Sequence, residues 1–353
     1  MADATIITMG KPIPVAPDPD PGVLLRQMAM AMRSSRALYA AAELRLADHL
    51  AGGAMASADL AGLTSTHPNA LHRLLRALAA AGVFTEGTDG RFALTEIGDR
   101  LRADHPRSMR AGVLFLAGPQ RWEIWSGLMR SLRTGAPAID RPPGQTIFGH
   151  YASNPADTAI ANDAMRAFTV LQARAVLAAF DFSRFGTLMD VGGGTGEMLG
   201  SVLAATPSLR GMLFDLPHVV AGAGPVLERH GVADRCMCTQ GDFFEAVPSG
   251  ADAILLKQVV HDWEDDRAIA LLEQCRQALP AEGSLLILER IMPEHAAPGL
   301  MEPFLLDLEM LVGPGGRERT QAEFRTLLAA AGLTITRITP TASPVSVIEA
   351  RAG

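Results

Sequence analysis

The chain reads as an α/β protein: a mostly parallel sheet with helices on both faces, closed by an antiparallel hairpin and preceded by a helical, winged-helix-like segment. Three observations point there. From Gly186 onward, short apolar β-prone runs alternate with helical patterns, the rhythm of a parallel sheet. Between the first such strand and the first such helix stands Asp190-Val191-Gly192-Gly193-Gly194-Thr195-Gly196-Glu197, a loop in which the chain turns tightly and lets a ligand approach the backbone. The last two apolar runs, 333–338 and 345–350, are separated only by Pro340-Thr341-Ala342-Ser343-Pro344, so they pair as a reversed hairpin.

Composition sets the bounds. A length of 353 residues suggests two domains, and 48% apolar with 20% charged residues describes an ordinary globular chain. The net charge of −7 argues against a nucleic-acid binder as a whole. Cys236, Cys238 and Cys275 are too few and too poorly spaced for a disulfide framework or a zinc site. A reducing, cytoplasmic location is expected. The N-terminal stretch shows no apolar signal region, and no apolar run is long enough to span a bilayer, so no membrane partner is expected.

Residues 1–21, rich in Pro and Asp, read as a flexible arm. Residues 22–107 form the helical domain. Leu24, Leu25, Met28, Met32, Leu38, Leu44 and Leu46 recur at helix-face spacings; Met28, Met30 and Met32 suit a core or a subunit interface. Ser57 and Asp59 open a short helix, and 69–81 forms another with Leu71, Leu74, Leu75 and Leu78 on its buried side. A hairpin follows, 83–85 and 91–94 around Gly87-Thr88-Asp89-Gly90. Helices followed by a hairpin are also the plan of a winged DNA-binding domain. Residues 1–110, however, hold twelve Lys+Arg against eleven Asp+Glu, and the candidate recognition helix offers only Arg73 and Arg76. Phosphate binding needs more cations than that, so dimerisation is the preferred role.

Residues 108–180 are largely helical and carry Phe115, Trp122, Trp125, Phe148, Tyr151 and Phe168. A linker loop is expected from Thr134 to Gly144, and a long helix over 155–180. The aromatics are either core or the wall of a pocket for a flat organic molecule at a domain junction. Residues 181–353 form the glycine-loop domain.

The ligand of that loop is narrowed by its chemistry. Gly192, Gly194 and Gly196 are spaced one residue tighter than the dinucleotide fingerprint, and no P-loop Lys-Ser/Thr follows. A pyrophosphate site wants few carboxylates, yet Asp190 and Glu197 flank this loop. S-adenosylmethionine, with an ammonium and a sulfonium, suits acidic neighbours better. Asp215 ends the second strand, placed to hold ribose hydroxyls, and Gly241-Asp242-Phe243-Phe244 follows the third, an acid and a ring suited to adenine. A parallel sheet with a reversed terminal hairpin also suits a Rossmann-like methyltransferase better than a dehydrogenase.

The fourth strand runs into Lys257-Gln258-Val259-Val260-His261-Asp262-Trp263, which puts His261 at the ligand-binding edge of the sheet. Methyl transfer to a phenol needs a base near neutral pH, and histidine is that base. Glu289, ending the fifth strand, and Glu318 are the candidates to orient it. The other histidines show no ligand spacing, so no metal is expected.

The glycine loop, Gly241-Asp242-Phe243-Phe244 and Lys257…His261-Asp262-Trp263, with Gly315-Gly316-Arg317-Glu318-Arg319-Thr320 as a fourth motif, resemble the caffeic acid/hydroxyindole type of small-molecule O-methyltransferases of plants and bacterial natural-product pathways. The resemblance covers nearly the whole chain. It implies a homodimer through the N-terminal domain, an aromatic small-molecule acceptor, and S-adenosylmethionine as cofactor with S-adenosylhomocysteine as product. It implies His261 as base flanked by Glu289 and Glu318. Asp190, Gly192, Gly194, Gly196, Asp215, Leu216, Gly241, Asp242, Phe243, Lys257 and Trp263 would bind the cofactor. Met165 and Met310 match positions that hold a flat aromatic ring in that family, and Trp122, Phe148, Phe168 and Asp262 are the further candidates to face the acceptor. The loop Leu311-Val312-Gly313-Pro314 is one residue shorter than in the plant enzymes, which leaves the acceptor's identity open. N-methylation, or a non-methylating use of the cofactor, stands as the alternative on the same fold.

Overall fold

The computed structural model describes residues 20–138 and 147–353. Nearly all of the expected arm, and the tip of the expected 134–144 linker, lie outside these residues. The N-terminal helical run is broken into Pro21–Met30, Met32–Glu43 and Leu46–Leu50. The last break falls where Arg45 takes a left-handed backbone (φ 52°), a conformation that ends a helix. Helices Ser57–Thr64 and Pro68–Ala80 follow. The hairpin is β2 (Phe84–Glu86) and β3 (Arg91–Leu94), and a strand not expected from the sequence, β1 (Met55–Ala56), makes it three-stranded in the order β1-β3-β2. Leu71, Leu75 and Leu78, spaced by four and three, pack with Leu46, Leu60 and Phe92 into the core of this domain. The first helix buries none of its side chains: Leu25 and Met28 are 69% and 59% exposed, and Met32, which opens the second helix, is 53% exposed, so Met28 and Met32 are not core within one chain. In the expected recognition helix, Arg76 is paired with Glu86 at 3.2 Å.

Among the described residues, five helices connect the domains: Arg110–Ala117, Pro119–Ser126, Leu128–Thr134, Ile147–Ser153 and Pro155–Ala179. The last, a 25-residue helix, lies against both the first of these and the sheet domain. Strands β4 (Thr187–Val191), β5 (Arg210–Asp215), β6 (Cys236–Gln240), β7 (Ala253–Lys257) and β8 (Ser284–Glu289) are parallel. After the two-residue strands β9 (Ile291–Met292) and β10 (Arg319–Thr320) come β11 (Leu333–Pro340) and β12 (Ser346–Ala352). β12 runs antiparallel between β8 and β11, as the short connecting loop requires. The sheet order is β11-β12-β8-β7-β4-β5-β6. The chain therefore steps outward from β4 to β6, returns, and steps the other way from β7. The crevice of such a sheet opens at the carboxyl ends of the two strands where the order reverses, β4 and β7. Apolar layers cover both faces, one built on Met189, Ile254 and Ile287, the other on Leu188, Leu255 and Leu286, neighbours of opposite parity on the same strands.

Two further features were not expected from the sequence. One is the helix Met301–Val312. The other is a parallel β9–β10 bridge that sets Ile291 opposite Arg319. Both bear on the site.

Candidate active site

The glycine loop sits at the end of β4. Gly192, Gly194 and Gly196 all have positive φ (66°, 63° and 85°), where a side chain is strained. A Cβ on Gly193 would lie 2.5 Å from the Asp190 carboxyl carbon, whereas Gly194 has open space above it. Asp190 is thus folded beneath its own loop. It is 1% exposed, and neither carboxylate oxygen finds a hydrogen-bond partner. Burial pushes its pKa up to about 7, against the pull of Lys257. Lys257, at the end of β7, is pushed down to about 8 by burial, with Asp190 and Glu289 opposing, and donates to Gln258 Oε1 at 2.8 Å.

Asp215 accepts from the Gly194 and Leu216 amides, each at 2.7 Å, so the strand-end acid braces the loop itself. Its pKa is raised by burial. Gly241 has no room for a side chain, with the Phe214 ring 2.7 Å from where Cβ would stand. Asp242 accepts from the Phe244 amide at 2.8 Å. Phe243, Phe244 and Trp263 meet edge to face, and the Arg267 guanidinium caps Phe244 at 3.8 Å. Phe243 reaches to 3.5 Å of the Gly192 Cβ direction, so it stands at the loop with Trp263 behind it. One flanking acid must be reassigned. Glu197 turns away from the loop and receives His230 Nε2 at 2.9 Å, with Arg229 at 3.6 Å, on a neighbouring helix. It joins two helices, and the acidic character of the loop is left to Asp190.

His261 lies in a short 3-10 turn directly after β7, entered through Gln258 with φ 52°. Its Nδ1 is 2.8 Å from Glu318 Oε1 and 3.4 Å from Glu289 Oε2, and its backbone amide donates to Glu289 Oε1 at 3.2 Å. All three residues are buried. Burial lowers the imidazole pKa, but Glu289, Asp262 and Glu318 together outweigh it and push it up to about 10. Glu289 is pushed up to about 7, chiefly by burial. Both glutamates address Nδ1. On the Nε2 side stands Asp262, at 3.7 Å, its own pKa raised to about 6 by burial against the pull of His261. The three ligand-type atoms of His261, Glu289 and Glu318 lie within 4.8 Å of one another, a spacing a metal ion could also use. The sequence showed no metal-ligand spacing because the residues stand 28 and 57 positions from His261.

The acceptor side is less as expected. Met310 is buried, while Met165 on the long helix is 45% exposed. Phe168 packs onto Gly112, which has no room for a Cβ beneath its ring, a helix-to-helix contact. Trp122 points back to the N-terminal domain, 5.3 Å from the Arg36 guanidinium, so it does not join the group around His261. The Phe148 side chain lies outside the described residues. Its neighbours on the same helix, Arg121 and Trp125, one turn apart from each other, face the other way and both donate to Glu309 on the Met301–Val312 helix. Arg121 also covers the Phe115 ring at 4.1 Å, and its charge bears on Asp262. The i, i+4 spacing of Arg121 and Trp125 was legible; their partner Glu309 was not.

The residues present fit the cofactor implied by the motifs. A buried, unpaired carboxylate under an open glycine loop is an acceptor in want of a cation, which the ammonium of S-adenosylmethionine supplies. When bound, that molecule contributes an electrophilic methyl group on a sulfonium.

Residues 125–334 match the profile described as the O-methyltransferase domain, and residues 27–104 match the O-methyltransferase dimerisation domain. The phenazine O-methyltransferase PhzM of Lysobacter antibioticus is 40% identical over 93% of this chain and 95% of its own length. The aclacinomycin 10-hydroxylase RdmB of Streptomyces purpurascens is 37% identical over 90% of this chain and 86% of its own length. The crystal structure of an O-methyltransferase from neocarzinostatin biosynthesis, in complex with S-adenosylmethionine and 2-hydroxy-5-methyl naphthoic acid, superposes with a TM-score of 0.76 at 33% identity, over 91% of this chain and 96% of the other. The chain belongs to the O-methyltransferase family, as an S-adenosylmethionine-dependent enzyme with the family's dimerisation domain at its N-terminal end.

Proposed function

We propose that the enzyme methylates a hydroxyl group on an aromatic small molecule, an intermediate of natural-product biosynthesis, with His261 as general base. One observation carries this reading: two buried carboxylates hold Nδ1 of His261, which leaves Nε2 as the nitrogen available to a proton from an acceptor. As Nε2 takes that proton, the imidazolium is stabilised by Glu289 and Glu318, and the acceptor oxygen is freed to attack the methyl group in line. Asp190 and Lys257 bind the charged end of the cofactor, Asp215 and Leu216 its ribose, and Asp242 and Phe243 its adenine. Met310 and Met165 would hold the flat ring of the acceptor, with Asp262 beside its reacting oxygen. The names of the relatives support an aromatic acceptor.

The working unit is a homodimer. The bare first helix, with Leu24, Leu25 and Met28 outward and Met32 following at the start of the second, presents an apolar face that a second copy would cover. No helix among the described residues is long and apolar enough to cross a membrane, and a cytoplasmic enzyme without a nucleic-acid partner is the consistent reading.

The hydroxylase among the relatives favours one rival, the same cofactor site put to a non-methylating use. Titration calorimetry with S-adenosylmethionine, followed by transfer of labelled methyl to a panel of phenols, catechols and aromatic amines, separates the readings. Label on a phenolic oxygen is the expected result. Binding with label only on nitrogen, or with no transfer, would move the assignment to an amine acceptor or to the rival.

A further inference from the structure

We infer that Arg319 is a positioning residue of the active site: it clamps the turn that carries His261 and so sets the hydrogen bond between His261 Nδ1 and Glu318. This rests on His261 being the base. Arg319 is 1% exposed, among the largest fully buried side chains of the protein, yet it touches neither acceptor side nor glycine loop. Its N–H groups go instead to the backbone on either side of His261. Nη1 donates to the Val260 carbonyl at 3.2 Å and to the Arg317 carbonyl at 3.3 Å, and Nη2 donates to the Trp263 carbonyl at 2.8 Å. Nε and Nη2 both reach Asp265 Oδ1, at 3.0 and 2.7 Å. All five guanidinium N–H groups are thereby used.

The surrounding geometry makes this a clamp and not a local cap. Arg317 donates its backbone amide to the His261 carbonyl at 2.9 Å. Gly316 lies so close to the turn that a Cβ there would stand 2.1 Å from the His261 oxygen. The neighbour of Arg319 in the chain is Glu318, whose carboxylate holds Nδ1 and whose amide donates to Asp307 at 2.9 Å. Across the β9–β10 bridge, Arg319 faces Ile291, two residues after Glu289. The two acids and the histidine are thus registered by backbone, with the guanidinium as the tie. A lysine could not replace it, because one ammonium cannot serve three carbonyls and a carboxylate in a plane.

The test reads the hydrogen bond, not turnover. In protein labelled with ring-15N histidine, the Nδ1 proton of His261 is assigned by its loss in His261→Ala, and its shift and the His261 titration midpoint are followed. Arg319→Met, if folded by circular dichroism, is expected to lose the downfield resonance and lower the midpoint by at least about one unit, a tenfold loss of proton affinity. Arg319→Lys should fall between. Asp265→Ala, at a half-exposed partner, should move both readings the same way by less. Wild-type resonance and midpoint in folded Arg319→Met overturn the proposal. If that variant does not fold, unchanged readings in both Arg319→Lys and Asp265→Ala do so. Failure of labelled-methyl transfer in the wild type would count against the proposed reaction and leave this result standing.

Discussion

The two halves of the cleft are built on different principles. The cofactor half is assembled from strand ends: Asp190, Asp215, Gly241 and Lys257 each follow or close a strand of the parallel sheet. Strand order and direction bring such residues to one edge whatever the details of packing. The acceptor half is assembled from helix faces, Pro119–Ser126, Pro155–Ala179 and Met301–Val312. There a rotation of one residue turns a side chain by about 100°, and it decides whether Trp122 or Trp125 reaches the Met301–Val312 helix. The lesson is that a sheet edge tolerates an approximate reading of its elements and a helix wall does not.

That contrast can be broken at several points. The largest effect is expected where the halves meet. His261→Ala should slow transfer about 10²–10⁴-fold by loss of the general base with cofactor affinity retained, as labelled-methyl kinetics and calorimetry would show; wild-type rates would remove His261 from its role. On the acceptor side, Arg121→Met leaves the partly buried Glu309 without its ion pair and with Trp125 as remaining donor, so denaturant unfolding should register about 1–3 kcal/mol. On the cofactor side, Asp215→Ala removes a charged acceptor of the glycine loop. S-adenosylmethionine affinity should fall by about 1.5–3 kcal/mol, tenfold or more; an unchanged affinity would separate loop bracing from binding.

The pH dependence sharpens the comparison, since the folded pKa of His261 is raised from its ordinary 6.5 to about 10. Its contribution to stability is therefore complete below pH 6.5 and lost as pH rises through about 10. Activity has the opposite sign: the unprotonated base becomes available with rising pH, so kcat/KM should climb through the neutral range to the alkaline side. Glu318→Gln removes one of the charges that hold the proton, and the rising limb should move to lower pH. The smallest change is expected at Trp122→Phe, within about 0.5 kcal/mol and with no change in acceptor KM, because its ring stands over Arg36. A raised KM would return Trp122 to the acceptor wall.

By itself the sequence determined the sheet, its reversed hairpin, the glycine loop and the strand-end acids, because alternation, glycine spacing and loop length are local signals that survive any packing. It also named His261, Glu289 and Glu318, since two of them lie at or just beyond strand ends and the third in a motif. Tertiary structure decided what those groups touch. It placed both glutamates at one nitrogen of His261 and turned Glu197 to His230. It left the Asp190 carboxylate without a partner and paired Arg121 and Trp125 with Glu309 across 188 and 184 residues. Such pairings depend on the direction of a side chain and the depth of its burial, which are set by neighbours distant in the chain and so leave no period or spacing to read.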